Sequence, residues 1–266
     1  MKALALFLLV SFTVVSAQDN NGRGVKATSL ANAFVALADN SWAVAYNPAG
    51  LARITSPEIS VFFVPQQFGI PELRTVSLSG AWKTSYGTPG ASVEQFGFEL
   101  YRTTDIRLGY GLSLDSIVNI GATVNVGQIS IAGYGATHTY TVDVGLLGEP
   151  VHNVAIGFCA RNVSAATIGK DRERLPQYLL LGICYRPFDG FSLVSEAEKD
   201  LEFPLVLKTG LEQRFFEFLS FRCGVSNNPD KFSAGIAVRC SVFEFGYAGY
   251  SHPELGWTHQ IEISMR

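Results

Sequence analysis

From about residue 57 onward, apolar and polar residues alternate in short runs instead of recurring at helical spacing. In 204–214, Leu205, Leu207, Thr209 and Leu211 lie on one face, and Lys208, Gly210, Glu212 and Arg214 on the other. In 232–240, Phe232, Ala234, Ile236, Val238 and Cys240 oppose Ser233, Gly235, Ala237 and Arg239. Arg222, Glu244 and Glu262 take the same polar side of their own runs, while His259, Ile261, Ile263 and Met265 share an apolar side. A period of two predicts β-strands. Fourteen such runs are expected: 57–64, 73–82, 92–101, 106–114, 117–126, 139–147, 152–161, 177–186, 189–199, 204–214, 216–225, 231–240, 241–250 and 257–265. The segment 127–138 could extend a strand, and the charged segment 162–176 reads as a solvated loop.

The alternation leaves two architectures open. A soluble sandwich buries the apolar face and wets the other. A membrane barrel turns the apolar face to lipid and lines its lumen with the polar one. Three features favour the barrel: an export leader, an even run count, and hairpin following hairpin without a long crossover. The leader is residues 1–17, where Lys2 precedes an apolar run and Val15-Ser16-Ala17 offers a cleavage site near Ala17. That run is short for a membrane helix.

Before the strands, 28–38 is the best helical candidate, with Leu30, Phe34 and Leu37 at helical spacing and Thr28 or Ser29 as a cap. Asn47-Pro48-Ala49-Gly50 is a turn. The expected division is therefore 1–17 signal peptide, 18–56 amino-terminal segment and 57–266 strands.

Composition narrows function. Charged residues make up 16% of the 266 and the formal net charge is −3, so no basic excess exists for a nucleic-acid partner. The four cysteines, Cys159, Cys184, Cys223 and Cys240, lie in strand-like runs without metal-ligand spacing. They read as small apolar side chains, with a Cys159–Cys184 cross-strand pair as the alternative. No nucleophile-elbow, zinc-protease or P-loop motif occurs. No enzyme, cofactor or metal is expected. The polar-face charges Lys208, Glu212, Arg214, Arg222, Arg239, Glu244 and Glu262 are expected in a lumen, either paired across strands or lining a polar gate. Aromatics near run ends, among them Phe62, Trp82, Tyr110, Tyr250 and Trp257, suggest membrane-interface belts.

Residues 22–52 read GRGVKATSLANAFVALADNSWAVAYNPAGLA. With Ala36, Ala38, Asp39, Ser41 and Asn47-Pro48-Ala49-Gly50-Leu51, this segment resembles the amino-terminal segment of FadL-type long-chain fatty-acid transporters of bacterial outer membranes. It is similar above all to their PorV/PorQ-like branch, associated in some bacteria with the type IX secretion system. Leu180-Leu181-Gly182, Tyr185-Arg186-Pro187, Phe232-Ser233-Ala234-Gly235 and Leu255-Gly256-Trp257-Thr258-His259 carry the likeness into the tail. The resemblance implies an all-β fold: one antiparallel transmembrane barrel of about fourteen strands, with a short helical amino-terminal plug marked by the Asn47–Gly50 turn. It also implies outer-membrane lipid around the barrel and passive uptake of a hydrophobic ligand such as a fatty acid. The alternatives are a barrel with secretion-system or surface-assembly partners, and an exported soluble β-protein. The gaps between runs are shorter than in such transporters, and the chain closes on Ser264-Met265-Arg266, where outer-membrane barrels commonly end in an aromatic residue.

Overall fold

The computed structural model describes residues 22–115, 117–169 and 173–266. The leader and its cleavage site lie outside the described residues. Fourteen antiparallel strands close into one barrel. In chain order these are β1 (Glu58–Val64), β2 (Thr75–Ala81), β3 (Thr88–Gly97), β4 (Tyr101–Ser113), β5 (Val118–Ile131), β6 (Gly135–Val151) and β7 (Val154–Arg161). A two-stranded ribbon, β8 (Thr167–Ile168) and β9 (Glu173–Arg174), follows outside the wall. The wall resumes with β10 (Tyr178–Tyr185), β11 (Phe191–Asp200), β12 (Val206–Phe215), β13 (Leu219–Ser226), β14 (Lys231–Cys240), β15 (Phe243–His252) and β16 (Gly256–Met265). Each wall strand pairs with its sequence neighbours, and β1 pairs with β16 to close the ring, from Ile59 opposite Met265 to Phe63 opposite Ile261. Closure leaves no strand edge open along that register.

All fourteen expected runs are strands. The largest shift is in the third, expected at 92–101 and observed at Thr88–Gly97. Pro89 and Gly90 fall in the expected gap between the runs 73–82 and 92–101, yet both lie in the strand, and the Pro89 carbonyl accepts the Trp82 amide at 3.0 Å. The ambiguous 127–138 is divided between the ends of β5 and β6.

The side-chain polarity decides between sandwich and barrel. Leu207 is 52% exposed and its neighbour Lys208 only 6%; Ile261 is 50% exposed and Gln260 only 1%. Apolar side chains outside and polar ones inside is the inverse of a soluble domain and the pattern of a transmembrane barrel.

The lumen is filled by the segment before β1. It contains α1 (Val25–Ser29), α2 (Ala43–Tyr46) and a 3₁₀ turn at Pro48–Arg53. Phe34, Leu37, Trp42, Tyr46 and Leu51 within it are all buried. The helix expected over 28–38 is corrected. It occupies Val25–Ser29, and Leu30, Phe34 and Leu37 lie in successive turns beyond it. A Schellman-type stop ends it: Asn32 N donates to Ala27 O at 2.8 Å and Ala31 N to Thr28 O at 3.1 Å, with Ala31 at φ 53°. This position usually takes glycine. Here the wall imposes the bend, because Leu30 and Ala31 lie directly against Gly224 of β13.

Two aromatics assigned to a membrane belt face the lumen instead. Phe62 is fully buried and meets Trp42 edge-on with centroids 5.9 Å apart, and Tyr250 is 1% exposed. Each falls on the inward parity of its strand. Cys159 and Cys184 are both buried and free, and they oppose Leu180 and Ala155 rather than each other. The register therefore keeps the cross-strand pair apart.

The barrel has two distinct ends. Turns on the side of Glu58 and Arg266 are short, such as 152–153 and 241–242, whereas the opposite end carries the loops 65–74 and 162–177. Asn162 organises the longer loop. Its Nδ2 donates to the carbonyls of Leu175 and Pro176 at 3.1 Å each, and its Oδ1 accepts Ala166 N at 3.0 Å. Asn162→Ala is expected to make 162–177 sensitive to added protease while leaving the barrel's heat-dependent gel mobility unchanged. Cleavage no faster than wild type would show that the loop is held elsewhere.

Candidate functional site

The plug contains few regular elements, so its backbone groups need partners. Wall side chains supply them. Glu196 of β11 accepts the amides of Phe34 and Val35 at 2.9 Å each. Glu262 of β16 accepts Val25 N and, at 2.9 Å, the Trp42 indole N–H. Glu58 of β1 accepts Ser41 N at 3.1 Å. Ser79 and Thr123 donate hydroxyls to the carbonyls of Ser41 and Val44 at 2.9 and 3.0 Å. Three wall glutamates thus bind three successive stretches of the plug.

The wall meets the plug through glycine. Inward-facing glycines recur along β3 to β7, β10 and β12 to β15, and they stand in register: Gly111 opposite Gly121, Gly121 opposite Gly145, Gly157 opposite Gly182 and Gly210 opposite Gly224. An added Cβ at Gly121 would come within 2.5 Å of Ala49 N, and one at Gly157 within 2.7 Å of Ala36 Cα. Backbone packs on backbone there, which no other residue permits.

Asn47 fixes the plug's turn at this surface. Its Oδ1 accepts Ala49 N at 3.1 Å, and its Nδ2 donates to Val35 O at 2.8 Å and to the wall carbonyl of Leu146 at 3.0 Å. Pro48, Ala49 and Gly50 complete the turn, with Gly50 pressed on the backbone of Ala38.

The charges form connected pairs. Lys26 Nζ lies 2.7 Å from Asp39 and 3.1 Å from Glu212. Glu212 meets Arg222 at 3.0 Å, and Glu244 bridges Arg222 at 3.6 Å and Arg239 at 2.9 Å. Lys208 reaches Glu196 at 3.0 Å and Glu198 at 2.7 Å. Arg23 meets Glu94 at 2.9 Å, and Arg266 meets Glu58 at 3.0 Å. Arg214 is exposed at the barrel rim, and Arg239 is only partly inside. Burial alone would raise the Asp39 carboxyl, but the adjacent Lys26 ammonium outweighs it and holds the group well below the ordinary range. Burial pushes the Tyr46 hydroxyl up to about 12. That hydroxyl stays protonated and donates to Asn32 Oδ1 at 3.1 Å.

The gap between Lys26, Arg222, Glu262 and Arg266 measures about 10 Å³, too small for more than a single water. The plug fits tightly at this end. The outer surface, by contrast, carries a groove of about 490 Å³ across β4 to β7. Tyr110, Leu112, Ile120, Val144, Leu146 and Phe158 form its walls. Ala122 and the backbones of Gly121 and Gly145 form its floor. Ala122 lies between Tyr110 and Val144 across the sheet, and its short side chain makes the depression. On the lumen side of that floor lies the Asn47–Pro48 turn. Among the described residues no cluster of His, Cys, Asp and Glu could hold a metal ion.

No sequence-family profile and no curated protein matches this chain. Solved structures do. The Ralstonia pickettii toluene transporter TbuX superposes with a TM-score of 0.68 at 12% identity, over 92% of this chain and 97% of its own. The CymD monoaromatic hydrocarbon channel gives 0.66 at 13%, over 92% and 96%. A Pseudomonas aeruginosa FadL homologue gives 0.64 at 11%, over 91% and 98%. This chain has their fold. The likeness is one of architecture, a plugged fourteen-stranded barrel, and does not single out a PorV/PorQ branch.

The alternation in sequence places Lys208, Glu212, Arg222, Glu244 and Glu262 on inward faces, but not the plug residues they meet. Glu196, Glu58 and Thr123 are not among the residues expected to line the lumen, although each has the inward parity of its strand, a signal the sequence carries. The inward glycines carried the same signal: Gly210, Gly235 and Gly246 already stand on the polar faces.

Proposed function

We propose that this chain is an outer-membrane conduit for passive uptake of a hydrophobic small molecule, such as a fatty acid. The observation that carries the reading is the outer groove over Gly121 and Gly145. It is an apolar depression in the lipid-facing wall, of ligand size, whose floor is glycine backbone and whose far side is the plug turn. Buried ion pairs such as Lys26–Asp39 and Lys208–Glu196, and a plug packed on glycine, disfavour a path for water and ions through the lumen. The fold shared with structures described as hydrocarbon channels supports the same reading. Longer loops on one side and short turns on the other orient β1–β2 loop 65–74 to the cell exterior. The amino-terminal segment 18–56 serves as the plug, after removal of residues 1–17.

Filling the groove tests this. Ala122→Phe adds a ring at the floor on the outer face, where no plug contact is disturbed. Expressed in a host lacking its own fatty-acid transporter, it is expected to bring labelled-oleate uptake down to the empty-vector level. Uptake equal to wild type at equal surface expression would exclude the groove from the route.

A second reading, a barrel component of a secretion or surface-assembly system, is favoured by the tight plug and by Tyr134, 91% exposed at a loop tip. It predicts no oleate uptake by the wild-type chain and loss of a secreted partner from the cell surface on Tyr134→Ser.

A further inference from the structure

The loop between β1 and β2 enters the exterior mouth of the lumen. Gln67 to Ile70 form a tight turn, with Ile70 N donating to Gln67 O at 2.9 Å. Gly69 at its corner suits its φ of 78°, but Phe68 beside it has φ 53°, a conformation bulky side chains disfavour. Two groups of contacts hold Phe68 there. Its amide donates to Thr258 Oγ1 at 3.0 Å. Its ring meets Tyr250 and His252 edge-on, with centroids 6.1 and 5.5 Å away. Gln67 Nε2 adds a bond to the Tyr250 hydroxyl at 3.3 Å.

The receiving pocket belongs to the wall. Thr258 and Tyr250 are buried on the inward faces of β16 and β15, opposite each other in register. Lys231 Nζ lies 3.7 Å from the centroid of the Tyr250 ring. His252 Nδ1 accepts the amides of Glu254 and Leu255 at 3.2 and 3.3 Å, which orients the imidazole. Pairing between β1 and β16 stops at Phe63 and Ile261, so the loop, not a strand, covers β16 at this level.

We infer that the Tyr250–His252–Thr258 pocket is a binding site for a neutral aromatic molecule carrying one hydroxyl, and that Phe68 is its built-in occupant. Phe68 presents an aromatic ring and, close to it, a single hydrogen-bond donor. A phenol or an aryl alcohol offers the same pair without the disfavoured backbone. The ring would take the edges of Tyr250 and His252, and the hydroxyl would donate to Thr258 Oγ1. Displacement frees the 65–70 loop, so that binding uncovers the mouth of the lumen. The inference goes beyond the conduit reading, since this site lies at the lumen mouth on β15 and β16 and not at the outer groove, and its binding test does not depend on transport.

The test is calorimetric titration of benzyl alcohol into the full folded chain in detergent. Phe68→Gly removes the competing ring and suits a positive φ. It is expected to bind benzyl alcohol at least about tenfold more tightly than wild type. Thr258→Val added to it is expected to abolish most of that gain, and toluene, which lacks the hydroxyl, is expected to gain less. Gel mobility on heating confirms that each variant is folded, and Phe68→Ala is used if the glycine variant is not. Equal affinity of wild type and the Phe68 variant overturns the inference, as does a gain that survives Thr258→Val unchanged. Binding as expected in a chain that takes up no oleate would leave this inference standing and remove the conduit reading.

Discussion

Gly121→Val is expected to open the lumen to ions. The new Cβ would fall within 2.5 Å of Ala49 N and against the Pro48 carbonyl, where backbone and not a flexible side chain must give way. Overpacking typically costs about 1–3 kcal/mol where side chains can adjust. Here the cheaper response is for the Asn47–Gly50 turn to leave the wall, because the β4–β5–β6 ladder through Gly111, Gly121 and Gly145 is held by its own strand pairing. Loss of the turn also breaks the Asn47 bond to Leu146 O. In planar bilayers the wild-type chain should conduct weakly, and Gly121→Val should show larger, noisy openings with the barrel still heat-modifiable. Gly80→Ala is the control. Gly80 faces outward, and its nearest atom would be Glu58 O at 3.5 Å, an ordinary contact. It should conduct like wild type. If Gly121→Val stayed as closed as wild type, the plug would not be seated as described.

The second large effect is expected at the wall carboxylates. Glu196→Ala removes the acceptor for two buried amides, Phe34 N and Val35 N, and one of the two carboxylates on Lys208. Glu262→Ala strands Val25 N and the Trp42 indole. At about 1–3 kcal/mol per buried donor left without a partner, each variant should lose about 2–6 kcal/mol of plug docking. The loss should appear as protease cleavage within 22–57 while the strands remain protected. Glutamine at either position keeps an acceptor oxygen and should cost less. Protection of 22–57 in both alanine variants would mean that packing on glycine alone retains the plug.

These two predictions rest on features of unequal legibility in the sequence. The strands were readable because a period of two survives whichever face meets lipid, and Leu205–Leu207–Leu211 against Lys208–Gly210–Glu212 needs no tertiary knowledge. What alternation could not supply was the side that faced water. That was decided by exposure, with Leu207 outside and Lys208 within. The plug was legible as a segment, through Asn47-Pro48 and its apolar run, but not in conformation. Spacing at Leu30, Phe34 and Leu37 suggested a helix, yet the curved glycine wall bends the chain at Ala31 and Asn32, both at positive φ. A long-range contact with Gly224 overrides local propensity there. The groove at Ala122 was beyond sequence reasoning, since a small residue among larger ones becomes a depression only when Tyr110 and Val144 are known to flank it. The pocket under Phe68 was hidden for a similar reason: it joins β1's loop to β15 and β16, nearly two hundred residues away in sequence.

The central claim is that the wall passes a hydrophobic solute while the lumen stays shut to water-soluble ones. The most direct measurement follows two labelled solutes, oleate and sucrose, into cells of a transporter-deficient host expressing the chain in its outer membrane. The account predicts that oleate uptake rises above the empty-vector level and that sucrose entry does not. Sucrose entry with no gain in oleate would contradict it and identify an open, water-filled pore.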